Sequence, residues 1–206
     1  MCPSGDRTRD AEQNSLTFLM TNMLPQVHEL NDGPWKKLEE YERAMANEAD
    51  AELYIVAGGI FADTQPTIGH GVSVPISTYK VIVVLHAGQT ATDVGSRTKV
   101  VAAVMPNDRT AGSHAWTDFL TSVDEVETAT GYDFLSRVSE ATQRVIEASV
   151  LEVAADPNEV HRAGLWAPTG SANLRFVVSL RGKLHGATRQ SSARPDRFEC
   201  KTSWRS

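Results

Sequence analysis

Cysteine is scarce in this 206-residue chain: only Cys2 and Cys200 occur, near opposite ends. A disulfide framework is excluded, and a single bridge would form only if the fold brought the two ends together. Long apolar runs are also lacking. None approaches the ~18 to 20 residues of a membrane-spanning helix, so no membrane partner is expected. Glycine (14) and proline (9) are too few for a collagen-like or low-complexity chain. Met1 to Asp10 lacks the basic start and apolar stretch of an export signal. Internal repeats at periods of roughly 20 to 50 residues are missing. No G-x-S-x-G elbow is present, and Gly58-Gly59 lacks the spacing of a dinucleotide or phosphate-binding loop.

What is present is ordinary globular material, with 41% hydrophobic and 22% charged residues, enough to bury one substantial core. The net charge of −6 conceals two unlike parts. Residues 1–156 hold 11 Lys and Arg against 23 Asp and Glu, whereas residues 157–206 hold 9 against 3. An acidic body excludes a broad electrostatic grip on a phosphate backbone, which rests on many Lys and Arg contacts. Nucleic-acid chemistry on such a body would need a metal, a local basic cluster or a further segment. The division of the chain is therefore a body over 1–150 and a basic, weakly ordered tail over 151–206, rich in Ser, Arg and Gly. One extra strand is expected in the tail at Leu174 to Leu180.

Periodicity outlines the elements of the body. SLTFLM at Ser15 to Met20 reads as the first strand. After the polar Asn31-Asp32-Gly33, a helix is expected with Pro34 in its first turn, where a missing amide donor costs nothing. Trp35, Leu38, Tyr41 and Met45 form its apolar stripe, and it should reach Glu48. Strands follow at Leu53 to Ala57, at Val72 to Leu85 with a break near Pro75, and at Lys99 to Met105. The runs YIVAGGIF and YKVIVVL are nearly continuous in apolar residues, as in central strands covered on both faces. Trp116, Phe119, Leu120, Val123 and Val126 have helical spacing, Ser122 with Glu125 has the form of a capping box, and Gly131 ends that helix. A second helical stretch is expected over Leu135 to Ala148. The class is α+β, with strands and helices segregated more than alternating.

The most informative stretch is TNMLPQVHELNDGPWKKLEEYER, Thr21 to Arg43. On a continuous helix Asn31, Trp35, Glu39 and Arg43 step by four residues and lie along one side. Asn31 near the N-terminus would offer a neutral oxygen to a hard cation, Glu39 would hold a water on that cation, and Arg43 would pair with Glu39 or meet a phosphate. The same spacing also suits an Asn cap followed by a Glu to Arg surface pair. Of the six histidines, His28 alone falls inside this stretch.

These residues resemble the DNA/RNA non-specific endonucleases of the ββα-metal (His-Me finger) superfamily, whose pattern runs S/T-N-x-x-P-Q, L-N, W-x-x-L-E and E-R. Thr21-Asn22, Pro25-Gln26, Leu30-Asn31, Trp35, Leu38-Glu39 and Glu42-Arg43 match it in order. The similarity continues through YIVAGGIF, VPISTYKVIVV, VMPN at Val104 to Asn107, and SVDEVETATGYDF at Ser122 to Phe134, covering roughly Met1 to Ala148. It implies a central, mainly antiparallel sheet flanked by helices and metal-dependent hydrolysis of DNA and RNA phosphodiesters without sequence specificity. Asn31 would then hold Mg²⁺ or another divalent ion such as Mn²⁺. Glu39, Arg43 and Asn22 match catalytic positions, and Gln26 and Arg7 are candidate substrate contacts. Backbone-centred chemistry needs no base readout. A homodimer and an inhibitor protein are the further partners the resemblance admits, and relatives of this kind are mostly exported (periplasmic or secreted) or organellar.

One departure stands out. In the family a D-R-G-H motif supplies the general-base histidine, and in bacterial members a phrase like M-C-P-S-x-D-R-T commonly follows it. Here MCPSGDRT is Met1 to Thr8. The expectation is that this sequence is N-terminally truncated just after that motif and lacks the base and the strands before it. Losing a placed general base lowers rate by roughly 10²- to 10⁴-fold. The rival expectation is a catalytically inactive, metal- and nucleic-acid-binding remnant of the family.

Overall fold

The computed structural model describes residues 1–48, 51–150, 173–177 and 199–200. A six-stranded sheet organises them. Its longest strands are β1 (Ala51–Ile60), β4 (Ser77–His86) and β5 (Lys99–Pro106), with the two-residue β6 (Leu120–Thr121) at one edge. Beside β1 lies β7 (Asn173–Val177), followed by β8 (Glu199–Cys200), so the order is β6-β5-β4-β1-β7-β8. Neighbours are antiparallel except β1 and β7, which run parallel with Glu52 opposite Asn173. A small separate ladder joins β2 (Thr67–Ile68) to β3 (Val72–Ser73), and the break between β3 and β4 falls at the expected Pro75.

Side chains alternate across a strand, so β4 serves two cores at once. Ile82 and Val84 face one cluster with Leu53, Ile55, Val101, Ala103 and Met105. Tyr79, Val81, Val83 and Leu85 face another with Val100 and Ala102. The first face is covered by α3 (Lys36–Glu48), and the expected stripe is buried, Leu38, Tyr41 and Met45 on the helix and Trp35 just ahead of it. The second is covered by α4 (Val123–Thr130) and α5 (Glu140–Ile146) through Val123, Val126 and Ile146. Each fully buried Leu, Ile or Val in these clusters contributes roughly 1.5–3 kcal/mol relative to exposure. No helix among the described residues is long and apolar enough to cross a membrane.

Several expectations are corrected. Ser15 to Met20 is not a strand: α1 occupies Ala11–Leu16 and a 3₁₀ turn follows at Met20–Asn22. The Asp10 carboxylate accepts the Glu12 amide at 2.9 Å and so starts a helix, while no strand among the described residues pairs with the apolar residues that follow, and Met20 is 71% exposed. Trp116–Phe119 is a 3₁₀ turn and Leu120–Thr121 joins the sheet, because the backbone is extended at Ala115, Leu120 and Ser122. The Ser122 cap is present, with Oγ accepting the Glu125 amide, and Gly131 closes α4 at φ 70°. The helix expected over Leu135 to Ala148 is the shorter α5, begun by Ser139. Of the tail, only β7 and β8 fall among the described residues; β7 overlaps the strand expected at Leu174 to Leu180, and the remainder of 151–206 lies outside them.

Candidate active site

The chain enters α3 through a distortion. His28–Leu30 is a single helical turn (α2), and Asn31–Trp35 is a π-helical segment in which Gly33 leaves helical geometry at φ −98° and ψ −121°. Pro34 explains the break, since it has no amide to donate and its ring crowds the preceding turn. The straight line extrapolated from Asn31 to Arg43 is therefore interrupted. Asn31 is exposed ahead of the kink, and its carboxamide makes no hydrogen bond to the described residues.

Beyond the kink the helical register holds. Trp35 stands one turn ahead of Glu39, and against the larger upward push of burial its indole lowers the Glu39 carboxyl slightly. Lys80 comes from the middle of β4, on the face it shares with Ile82 and Val84, and is 1% exposed. Its Nζ lies 2.9 Å from Glu42 Oε1, 3.8 Å from Glu39 Oε1 and 4.4 Å from the centre of the Trp35 ring. One buried ammonium thus ties together two carboxylates and an indole face. Burial pushes the Glu39 carboxyl up, opposed chiefly by Lys80. Glu42 is fully enclosed, and burial takes it to about 7 against the same opposing charge.

Arg43 pairs with Asp6 rather than Glu39, Nη1 to Oδ1 at 3.0 Å, with Asp6 buried and Arg43 half-buried. Asp6 belongs to the 3₁₀ turn Ser4–Arg7, so this pair fastens the first residues to α3. Arg7 is buried and donates from Nη1 to the Asp6 carbonyl at 2.9 Å, bracing that turn. Asn22 clasps the same region: Oδ1 accepts the Cys2 amide at 2.7 Å, and Nδ2 donates to the Cys2 and Thr17 carbonyls at 2.8 Å each. The Cys2 Sγ lies 3.8 Å from the Pro3 carbonyl. Burial and the Lys80 ammonium hold the Met1 amino group below its ordinary value, which places residue 1 against the Lys80 cluster.

Gln26 sits in a loop held by Asn107. The Asn107 carboxamide accepts the Val27 amide at 2.9 Å and donates to the Pro25 and Pro75 carbonyls at 3.0 and 2.9 Å. Gln26 Nε2 is shielded yet has no hydrogen-bond partner among the described residues. The structure therefore brings Glu39 and Arg43 into one charge network, fixes Asn22 and Arg7 as braces of the first turn, and leaves Asn31 and Gln26 with unspent amide groups. His28 is exposed at the start of α2. Sequence reasoning missed Lys80 altogether, matched Glu42 and Asn107 to family phrases without giving either a role, and did not pair Asp6 with Arg43. A lone lysine within the apolar run YKVIVVL was the available signal.

The family model of the DNA/RNA non-specific endonucleases matches residues 1–141, two thirds of the chain and every residue of this network. The chain belongs to that family. Among similar family members, a nuclease from Nostoc is 44% identical over 151 residues, covering 73% of this chain and 54% of the relative. The mitochondrial nuclease EXOG of Danio rerio is 30% identical over 146 residues, 65% of this chain and 40% of the relative. Human mitochondrial endonuclease G is 26% identical over 133 residues, 59% and 42%. The chain thus spans about half the length of these curated relatives or less. The fold is similar to that of a solved structure of the EndoG/EndoGI complex, with TM-score 0.54, 23% identity, and coverage of 69% of this chain and 60% of the other.

Proposed function

We propose that this chain carries the cation- and phosphate-binding half of a nuclease that hydrolyses DNA and RNA phosphodiesters without sequence specificity. The observation that carries the reading is the buried Lys80 network, which holds Glu39 desolvated and fixed beside Arg43 while the Asn31 amide is left exposed and unbonded. A structural cap would have spent that amide on its own helix. The donor set fits a hard divalent ion such as Mg²⁺: a neutral amide oxygen at Asn31 and a carboxylate at Glu39 to steady its water shell. When bound, the ion supplies Lewis-acid stabilisation of the phosphate charge.

The chain's own groups do the rest. Glu39 is oriented by the Lys80 ammonium on one side of it. Arg43, aligned by Asp6, meets a phosphate oxygen and stabilises the charge that develops as water adds to phosphorus and the ester oxygen leaves. Gln26 offers its unpaired amide donor to a second phosphate oxygen. Asn22 and Arg7 act by position, holding Cys2 and the first turn. The attacking water's proton goes to a general base, a role that the family resemblance gives to the histidine of a D-R-G-H motif. Exported or organellar location and an inhibitor protein stay part of this proposal; the similar EndoG structure was solved with EndoGI.

Plasmid nicking with Mg²⁺ and with chelator tests the reading, on a chain extended upstream through an in-frame D-R-G-H. Metal-dependent cleavage, lost in Asn31→Ala, is the expected result. An extended chain that cleaves equally well with chelator, or unchanged in Asn31→Ala, rejects it. Residues 1–206 alone should cleave at least about 10²-fold more slowly than the extended chain.

A further inference from the structure

The opposite face of the sheet carries an assembly the nuclease chemistry does not use. Asp124 and Glu127 lie on α4, one turn apart, and Glu147 follows the end of α5. One carboxylate oxygen from each lies within 4.8 Å of the others. Their chain neighbours Val123, Val126 and Ile146 pack into the core cluster on the far side of the sheet from Lys80. The Asp124 amide donates to the Glu147 carbonyl at 3.2 Å, so the two helix ends already meet.

Three like charges gathered on packed helices are unfavourable, and here one is desolvated. Glu147 is 7% exposed, and its Oε1 has no hydrogen-bond partner among the described residues. A buried carboxylate oxygen left without a donor costs about 1–3 kcal/mol or more. Glu127 has spent Oε1 on the Phe134 amide, and Asp124 is exposed, giving solvent access. No Lys or Arg forms an ion pair with any of the three among the described residues.

We propose that Asp124, Glu127 and Glu147 bind Ca²⁺ and thereby clamp the start of α4 to the end of α5. Ca²⁺ takes oxygens at about 2.3–2.6 Å in flexible arrangements, which suits three carboxylates whose positions are set by helix packing, whereas Mg²⁺ demands near-octahedral geometry at about 2.0–2.1 Å and sheds water reluctantly. The ion satisfies the orphaned Glu147 oxygen and cancels the repulsion. Because the site is remote from Asn31, its role is structural and independent of cleavage.

Thermal unfolding and calorimetric titration of the metal-stripped full chain with CaCl₂ or MgCl₂ test the proposal. Ca²⁺ at about 1–5 mM, the range of weak carboxylate sites, should raise Tm more than Mg²⁺ does. Glu147→Gln, which removes a repulsive charge and so folds without metal, should lower Ca²⁺ affinity at least about tenfold, as should the exposed Asp124→Asn. In Asn31→Ala, whose substitution removes the proposed cation ligand at the other site, the Ca²⁺-dependent rise in Tm should persist. No Ca²⁺-dependent shift in the unaltered chain, or a shift that survives both carboxylate variants, overturns the site.

Discussion

At the scale of single residues, Lys80 decides most. Removing one partner of a buried ion pair leaves the other charge unmatched, at a cost of about 3–5 kcal/mol. Lys80→Met should therefore lower unfolding free energy by that amount in urea titrations at neutral pH, and adding Glu42→Leu should restore much of it. Glu42 also makes stability pH-dependent. Its carboxyl is raised from 4.5 to about 7, so between those values the folded chain binds more protons than the unfolded one. The sign is then negative: this contribution is full below about pH 4.5 and is lost as pH climbs through about 7. Urea midpoints measured across that window should fall with rising pH, and Glu42→Gln should flatten the slope. The polar residues of the motif were legible in the sequence because their spacing is a local property. Lys80 was visible only as an anomaly, since its partners are set by strand register and by the packing of α3.

At the scale of elements, caps and turns carried the surest local information. Ser122 and Gly131 bound α4 as their chemistry dictates. Because Gly131 adopts φ 70°, Gly131→Ala should cost about 1 kcal/mol and lower Tm by a few degrees in calorimetry. Apolar pattern alone misled at Ser15 to Met20. Thr17 and Phe18 are β-prone and their neighbours apolar, but a strand needs an adjacent edge, and here the Asp10 cap favours a helix instead. The run from Trp116 to Val126 shows the same lesson in reverse, its helical spacing overruled at Leu120–Thr121 by pairing with β5. The π-helical kink at Gly33-Pro34 was half legible: Pro34 announced a helix start but not the distortion that separates Asn31 from the line of α3.

At the scale of the whole molecule, the sheet divides two kinds of chemistry, the Lys80 network on one face and the α4–α5 carboxylates on the other. β7 shields one side of β1 by parallel pairing. A chain ended at residue 150 loses that partner and uncovers the edge of β1 along Glu52 to Ile55. It should self-associate in size-exclusion chromatography more than the full chain does, and monomeric elution of both would contradict this. The sequence by itself determined the α+β class, the buried stripe of α3, the central strands and the family, because periodicity and motif spacing are written along the chain. Only the tertiary structure decided that Arg43 answers to Asp6, that Asn22 holds Cys2, that Lys80 sits beneath Trp35, and that Glu147 meets Asp124 and Glu127. Those pairings join residues some 20 to 45 positions apart. Charge and hydrogen-bond partners depend on distance in space, which no local pattern encodes.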